Sequence, residues 1–133
     1  MNRRDAETVR DPVTERVIGL AIEVHRALGP GLLESAYEEC LAYELAQHQL
    51  CFQRQVPLPI VYKAVQLECG YRIDFVIDDW LIVELKTVEK LLPIHEAQLL
   101  TYLKLTGLKV GLLMNFNVPV LKDGIRRMVL NAP

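Results

Sequence analysis

Long apolar runs are absent from this sequence. No segment reaches the roughly 18 uninterrupted apolar residues of a membrane-spanning helix, so no membrane partner is expected. The first residues, Met1-Asn2-Arg3-Arg4-Asp5, mix charges of both signs and are followed by no apolar stretch of signal-peptide type, which makes a cytoplasmic location the expectation. Cysteine is scarce. Cys40, Cys51 and Cys69 are odd in number and lack CxxC spacing, which argues against a zinc ribbon or redox motif and makes buried thiols the expectation. No GxxxxGK[ST] loop occurs, which weighs against a nucleotide hydrolase. His25 and His95 share no short motif with a second histidine and read as helix-surface or packing residues. An excess of one charge is also missing. The formal net charge is −2, so the molecule as a whole does not attract nucleic acid and any attraction to phosphate has to be local. The dense positive groups, Arg3, Arg4 and Arg10 at one end and Lys122, Arg126 and Arg127 at the other, read as solvated surface.

What is present suits a packed globule. With 51% hydrophobic and 24% charged residues over 133 positions, the chain can bury one real core. Residues 1–12 are polar and expected to be a flexible N-terminal segment, with a single domain over 13–133. Asp11-Pro12 would open a helix whose apolar Val13, Val17, Leu20, Ala21, Val24 and Leu28 recur at three- and four-residue intervals. Gly29-Pro30-Gly31 breaks it, and a second helix is expected from about Leu33 to His48. The period then changes. Phe52 to Tyr62 reads as extended chain in which Pro57 and Pro59 fit an edge or bulge, and Val65 to Glu68 as a short strand. Tyr71 to Ile77 and Leu81 to Lys86 form a hairpin through Asp78-Asp79-Trp80. Pro93 opens a third helix through Thr106, closed by Gly107, and Val110 to Phe116 is a buried strand beside the hairpin. Gly124 to Leu130 is ambiguous between strand and helix.

The hairpin carries the chemistry. Residues two apart on a strand share a face, so Glu84 and Lys86 project together. Ile73, Phe75 and Ile77 alternate on the preceding strand, which puts Asp74 on the opposite face, and a three-residue connection sets Asp74 across from Glu84. An acid and a lysine two apart on a strand ordinarily form a solvated pair. Here Val76, Ile77, Trp80, Leu81, Ile82 and Val83 surround them, as in a central strand. Two carboxylates side by side in such a place repel each other unless a cation lies between them. Mg2+ or Mn2+ favours oxygen ligands and leaves positions for phosphate oxygens, while Lys86 would orient water and offset charge on phosphorus.

Asp74 followed by Glu84-Leu85-Lys86 resembles the signature of the PD-(D/E)XK nuclease superfamily. Gly31-Leu32-Leu33-Glu34-Ser35-Ala36-Tyr37 is similar to the motif that names the GxxExxY proteins, a family assigned to that superfamily, and the likeness runs from Thr14 to Leu130. The resemblance implies a mixed α/β (α+β) fold with a restriction-endonuclease-like core, a central mixed sheet with an antiparallel catalytic hairpin flanked by helices. It implies Asp74 and Glu84 as metal carboxylates, the Leu85 backbone carbonyl as a further ligand and Lys86 as the catalytic lysine. Glu34 corresponds to an acidic helix residue that binds or orients metal, often through water. Gln98 and Tyr102, four apart on one helix face, are similar to the QxxxY element of RecB-like nucleases. Tyr37 and Tyr102 are expected as substrate or support residues, with core packing the plainer reading of both. Ile73 stands where the superfamily usually has proline.

The expected function is therefore a metal-dependent nuclease acting on DNA or RNA. The alternative is a catalytically silent nuclease-fold module that binds nucleic acid or protein, because a fold does not dictate activity and the basic clusters are few. A homodimer or a protein partner would then supply the missing groove.

Overall fold

A computed structural model describes the backbone of residues 3–130 and the side chains of residues 12–130. The spacing of Val17, Leu20, Ala21 and Val24 winds the first segment into helix α1 (Arg3–Leu28) and buries all four on one stripe. The helix starts upstream of Asp11-Pro12, the pair expected to open it, and Pro12 lies inside it. Helix-favouring residues ahead of the proline, Ala6, Glu7 and Arg10, extend the winding, although proline offers no N–H to the preceding turn. The side chains of the segment expected to be flexible, Arg3, Arg4 and Arg10 among them, lie outside the described residues.

Gly29, with φ of 71°, closes α1 by donating its N–H to the His25 carbonyl at 2.7 Å. His25 packs as expected: it is buried, and its Nε2 lies 2.9 Å from the Val118 carbonyl oxygen and 3.1 Å from that of Phe116. Helix α2 (Glu34–Gln47) follows, with Tyr37, Leu41 and Leu45 fully buried. The chain then extends as β1 (Phe52–Pro57) and as a separate two-stranded ribbon, β2 (Ile60–Tyr62) and β3 (Val65–Leu67). Strands β4 (Arg72–Ile77) and β5 (Leu81–Lys86) form the expected hairpin. Its turn holds Asp78 and Asp79 at φ of 55° and 49°, and the Trp80 N–H reaches the Ile77 carbonyl at 3.1 Å. Two left-handed central residues match the twist of the flanking strands. Helix α3 (Pro93–Thr106) has the expected bounds, and Gly107 closes it at φ of 79°. Strand β6 (Val110–Asn115) is buried throughout, and a 3-10 turn over Leu121–Gly124 leads into β7 (Ile125–Val129), so the ambiguous terminal segment is a strand.

The fold is thus a mixed α/β domain around a five-stranded sheet of order β1-β4-β5-β6-β7. Only β5 and β6 run parallel, as their connection through α3 permits; the other neighbours are antiparallel. Both sheet faces are covered. Against α1 and α2 lie Phe75, Ile77, Leu81, Val83, Leu85 and Met114; against α3 lie Ile73, Val76, Ile82 and Leu113.

Two expectations are corrected by this packing. Ile73 does not share a face with Phe75 and Ile77, because β4 turns over at Asp74 and sends Ile73 into the α3 side. Beside that point Gln55 of β1 takes a left-handed φ of 50°, which breaks the regular alternation of both strands. The cysteines are not all buried either. Cys40 is partly buried, whereas Cys51 and Cys69 sit on connections at the surface and are exposed.

Close approach of the last strand connection makes a stability prediction. A methyl group built at Gly124 collides with the Asn115 backbone carbonyl oxygen and crowds Val118 at 3.1 Å. Backbone cannot step aside as a flexible side chain does, so Gly124→Ala is expected to destabilise the fold by about 2 kcal/mol. A lower urea midpoint at unchanged slope is the measurement; an unmoved midpoint contradicts the contact.

Candidate active site

The site is built where the β4–β5 ladder runs out. Backbone pairing goes from Ile77↔Leu81 to Phe75↔Val83, and one further step brings Asp74 opposite Glu84. There side chains replace the ladder. The Asp74 N–H donates to Glu84 Oε2 at 2.7 Å, and the Leu85 N–H donates to Asp74 Oδ2 at 2.8 Å. Each carboxyl group is thereby fixed by a backbone N–H of the neighbouring strand. Lys86, two residues beyond Glu84, places its Nζ 3.3 Å from Gln98 Oε1 on α3. Four of the expected residues, Asp74, Glu84, Lys86 and Gln98, therefore meet at one end of the sheet.

Glu34, the first residue of α2, reaches the same region from the other side. The residue is exposed, yet partial burial of its carboxyl raises its pKa; Asp74 and Glu38 act in the same direction and Lys86 opposes them. Glu84 is almost fully buried, and that burial together with the charge of Asp74 pushes its carboxyl up to about 8, against the opposing Asp74 N–H and Lys86. Asp74 is raised as well, first by burial and then by Glu38, while the Leu85 N–H, Lys86 and Gln55 hold it down. Tyr102 is buried on α3, and burial with Glu84, Tyr71 and Asp74 pushes its phenol up to about 12, which keeps the hydroxyl a donor.

Tyr37 stands apart from this cluster. Its hydroxyl donates to the Gly29 carbonyl at 2.6 Å and accepts the Leu32 N–H at 3.1 Å, and its ring stacks on Phe116 with centroids 4.6 Å apart. It braces the turn that carries Glu34 into position. Gly31 supplies the left-handed φ of 100° in that turn.

Two residues at the site were not anticipated. Gln55, between the paired Arg54 and Val56 of β1, donates its amide to Asp74 Oδ1 at 3.3 Å and also to Glu38. Its left-handed backbone, sparsely populated for a residue with a side chain, costs roughly 1–3 kcal/mol and sits beside the acids. Glu38 also accepts from Arg54 at 2.8 Å, and Arg54 bonds Glu39 at 2.7 Å, so this cation is committed to α2. The four-residue spacing of Glu34 and Glu38 on one helix face could have flagged the second acid. Nothing in the sequence could have flagged Gln55 without the β1–β4 register.

Among the described residues no group of three or more His, Cys, Asp and Glu side chains is gathered as a metal-holding cluster. The donor chemistry nevertheless fits a hard divalent ion, which is held through one or two carboxylates with water and substrate oxygens completing its shell. Asp74 and Glu84 offer such a pair, and their raised pKa values mark a place where added positive charge is stabilising.

Lys86, Gln98 and Tyr102 also line a cleft of about 650 Å3 between α3, Ile60 of the ribbon and the segment holding Cys69 and Tyr71. Residues 11–128 match the family model of the PD-(D/E)XK nuclease superfamily. No curated protein and no solved structure matches the chain.

Proposed function

The chain belongs to the PD-(D/E)XK nuclease superfamily, and on that premise we propose that it hydrolyses phosphodiester bonds of nucleic acid, DNA foremost, with Mg2+ or Mn2+. The observation that carries the reading is the meeting of Asp74 and Glu84, from adjacent strands, beside a lysine held by Gln98. Asp74, Glu84 and the Leu85 carbonyl would hold the ion, with Glu34 reaching it through water. Such an ion lowers the pKa of bound water and neutralises charge on a phosphate oxygen. Lys86 orients the attacking water and offsets charge building on phosphorus, and Gln98 limits where its ammonium can go. Tyr102 offers a hydroxyl donor on the same side. The Gly31, Glu34 and Tyr37 arrangement supports a closer kinship with the GxxExxY proteins.

Labelled single- and double-stranded oligonucleotides incubated with the protein test the reading. Cleavage is expected with Mn2+ or Mg2+ and is expected to stop in EDTA. Salt-dependent binding without products at any metal concentration would support the silent module instead, and cleavage that persists in chelator would overturn the metal role.

A further inference from the structure

The cleft beside Lys86 is chemically unlike the acid cluster it adjoins. Its described lining contains no carboxylate. Lys86 and Gln98 stand at one end. Ile60, Tyr71, Ile94 and Leu105 make much of the rest, and the last three are 46%, 68% and 45% exposed. His95 also lines the cleft, with its Nδ1 occupied by the Leu92 N–H at 2.9 Å. A surface with one cation at an end, an amide beside it and an aromatic face with aliphatic neighbours beyond is complementary to a phosphate carrying a neutral planar ring.

From this complementarity we infer that the cleft receives an unstacked nucleobase next to the phosphate at Lys86, so that the substrate is single-stranded DNA or a frayed end. The inference rests on the nuclease reading of the neighbouring acids. Tyr71 supplies the stacking face, and the Gln98 amide and Thr101 hydroxyl supply hydrogen bonds to a base edge. A paired base cannot enter, because it is held in the stack and must first be extruded. A duplex would also ask for several phosphate contacts along two strands. The molecule has no excess of positive charge for that: 17 acids outnumber its 15 lysines and arginines, and Arg54 is bound to Glu38 and Glu39. Single strands are held by aromatic stacking together with charge along the backbone, and here Tyr71 and Lys86 stand at one cleft to supply one of each.

Tyr71 is on the surface, so its replacement leaves the core intact and the test can be made on the whole chain. Fluorescence anisotropy in EDTA, where cleavage is silent, follows binding of a labelled oligothymidylate of about 12 nucleotides and of a duplex of equal length. Tyr71→Ala is expected to weaken single-strand binding by roughly 5- to 150-fold, and Tyr71→Trp to retain it. The oligothymidylate is also expected to slow alkylation of Cys69, which lines the cleft, and not of Cys51, which lies beside the Asp78–Asp79 turn. Equal affinity for the duplex, an unchanged affinity of Tyr71→Ala, or a dimer that Tyr71→Ala splits in light scattering would each overturn the inference; the last would give the cleft to a second copy of the chain. Cleavage is scored separately with Mn2+. Tyr71-dependent binding without cleavage removes the nuclease reading and leaves the base site, whereas cleavage indifferent to Tyr71→Ala does the reverse.

Discussion

Lys86→Met is expected to slow single-turnover cleavage by roughly 10²- to 10⁴-fold, the range found when a positioned charge or proton-transfer group is removed from a reacting centre. Methionine keeps most of the stem, which packs in a partly buried position, and deletes the ammonium 3.3 Å from Gln98 Oε1. Substrate affinity should change far less than rate, because the charge matters most where negative charge accumulates on the phosphorane. On the proposed mechanism Gln98 acts on the reaction through that same ammonium. Gln98→Ala alone is therefore expected to cost activity, and in the Lys86→Met background to cost almost nothing more. Rates of the four proteins, measured at saturating Mn2+, decide the matter. If Lys86→Met cuts at the parental rate, the lysine has been assigned wrongly; if the two losses simply add, Gln98 works independently of it.

Much of this arrangement is legible in the sequence because its determinants are local. Pro93 and Gly107 bracket α3 at its observed ends, and a two-aspartate turn before Trp80 fixes the hairpin register that carries Asp74 to Glu84. What the sequence hides depends on neighbours far away along the chain. The side on which Ile73 packs goes together with a left-handed backbone at Gln55, a residue of another strand. The exposure of Cys69 follows from the ribbon standing apart from the main sheet. Likewise the early start of α1 reflects helix formers outweighing a proline that would ordinarily mark a first turn. Gln55 is hidden for the same reason: its importance lies in what it touches, Asp74 and Glu38, and both contacts bridge elements.

The second large effect has opposite signs for stability and for catalysis. Glu84→Gln is expected to abolish cleavage and yet to make the metal-free protein more stable at pH 8 by about 2 kcal/mol or more. Burial and Asp74 raise the folded-state pKa of Glu84 to about 8, above the ordinary 4.5 that an unfolded chain shows. The folded protein thus binds this proton more tightly than the unfolded one. Its stabilising contribution is complete below the unfolded value and is eroded as pH climbs through the window from 4.5 to about 8, beyond which it is flat. Glutamine cannot ionise, keeps an oxygen to accept the Asp74 N–H now bound at 2.7 Å, and removes the buried charge. The parental unfolding temperature in EDTA should consequently fall between pH 6 and pH 8, and that of the variant should fall much less. A divalent ion works against the same penalty: it displaces the proton, so its apparent affinity should rise with pH and its stabilisation should be greatest near pH 8 in the parent. In Glu84→Gln the Mn2+-induced rise in unfolding temperature should largely vanish. A variant that melts in parallel with the parent across this range, with the Mn2+ effect intact, would mean that Glu84 neither holds the buried charge nor contributes to binding the ion.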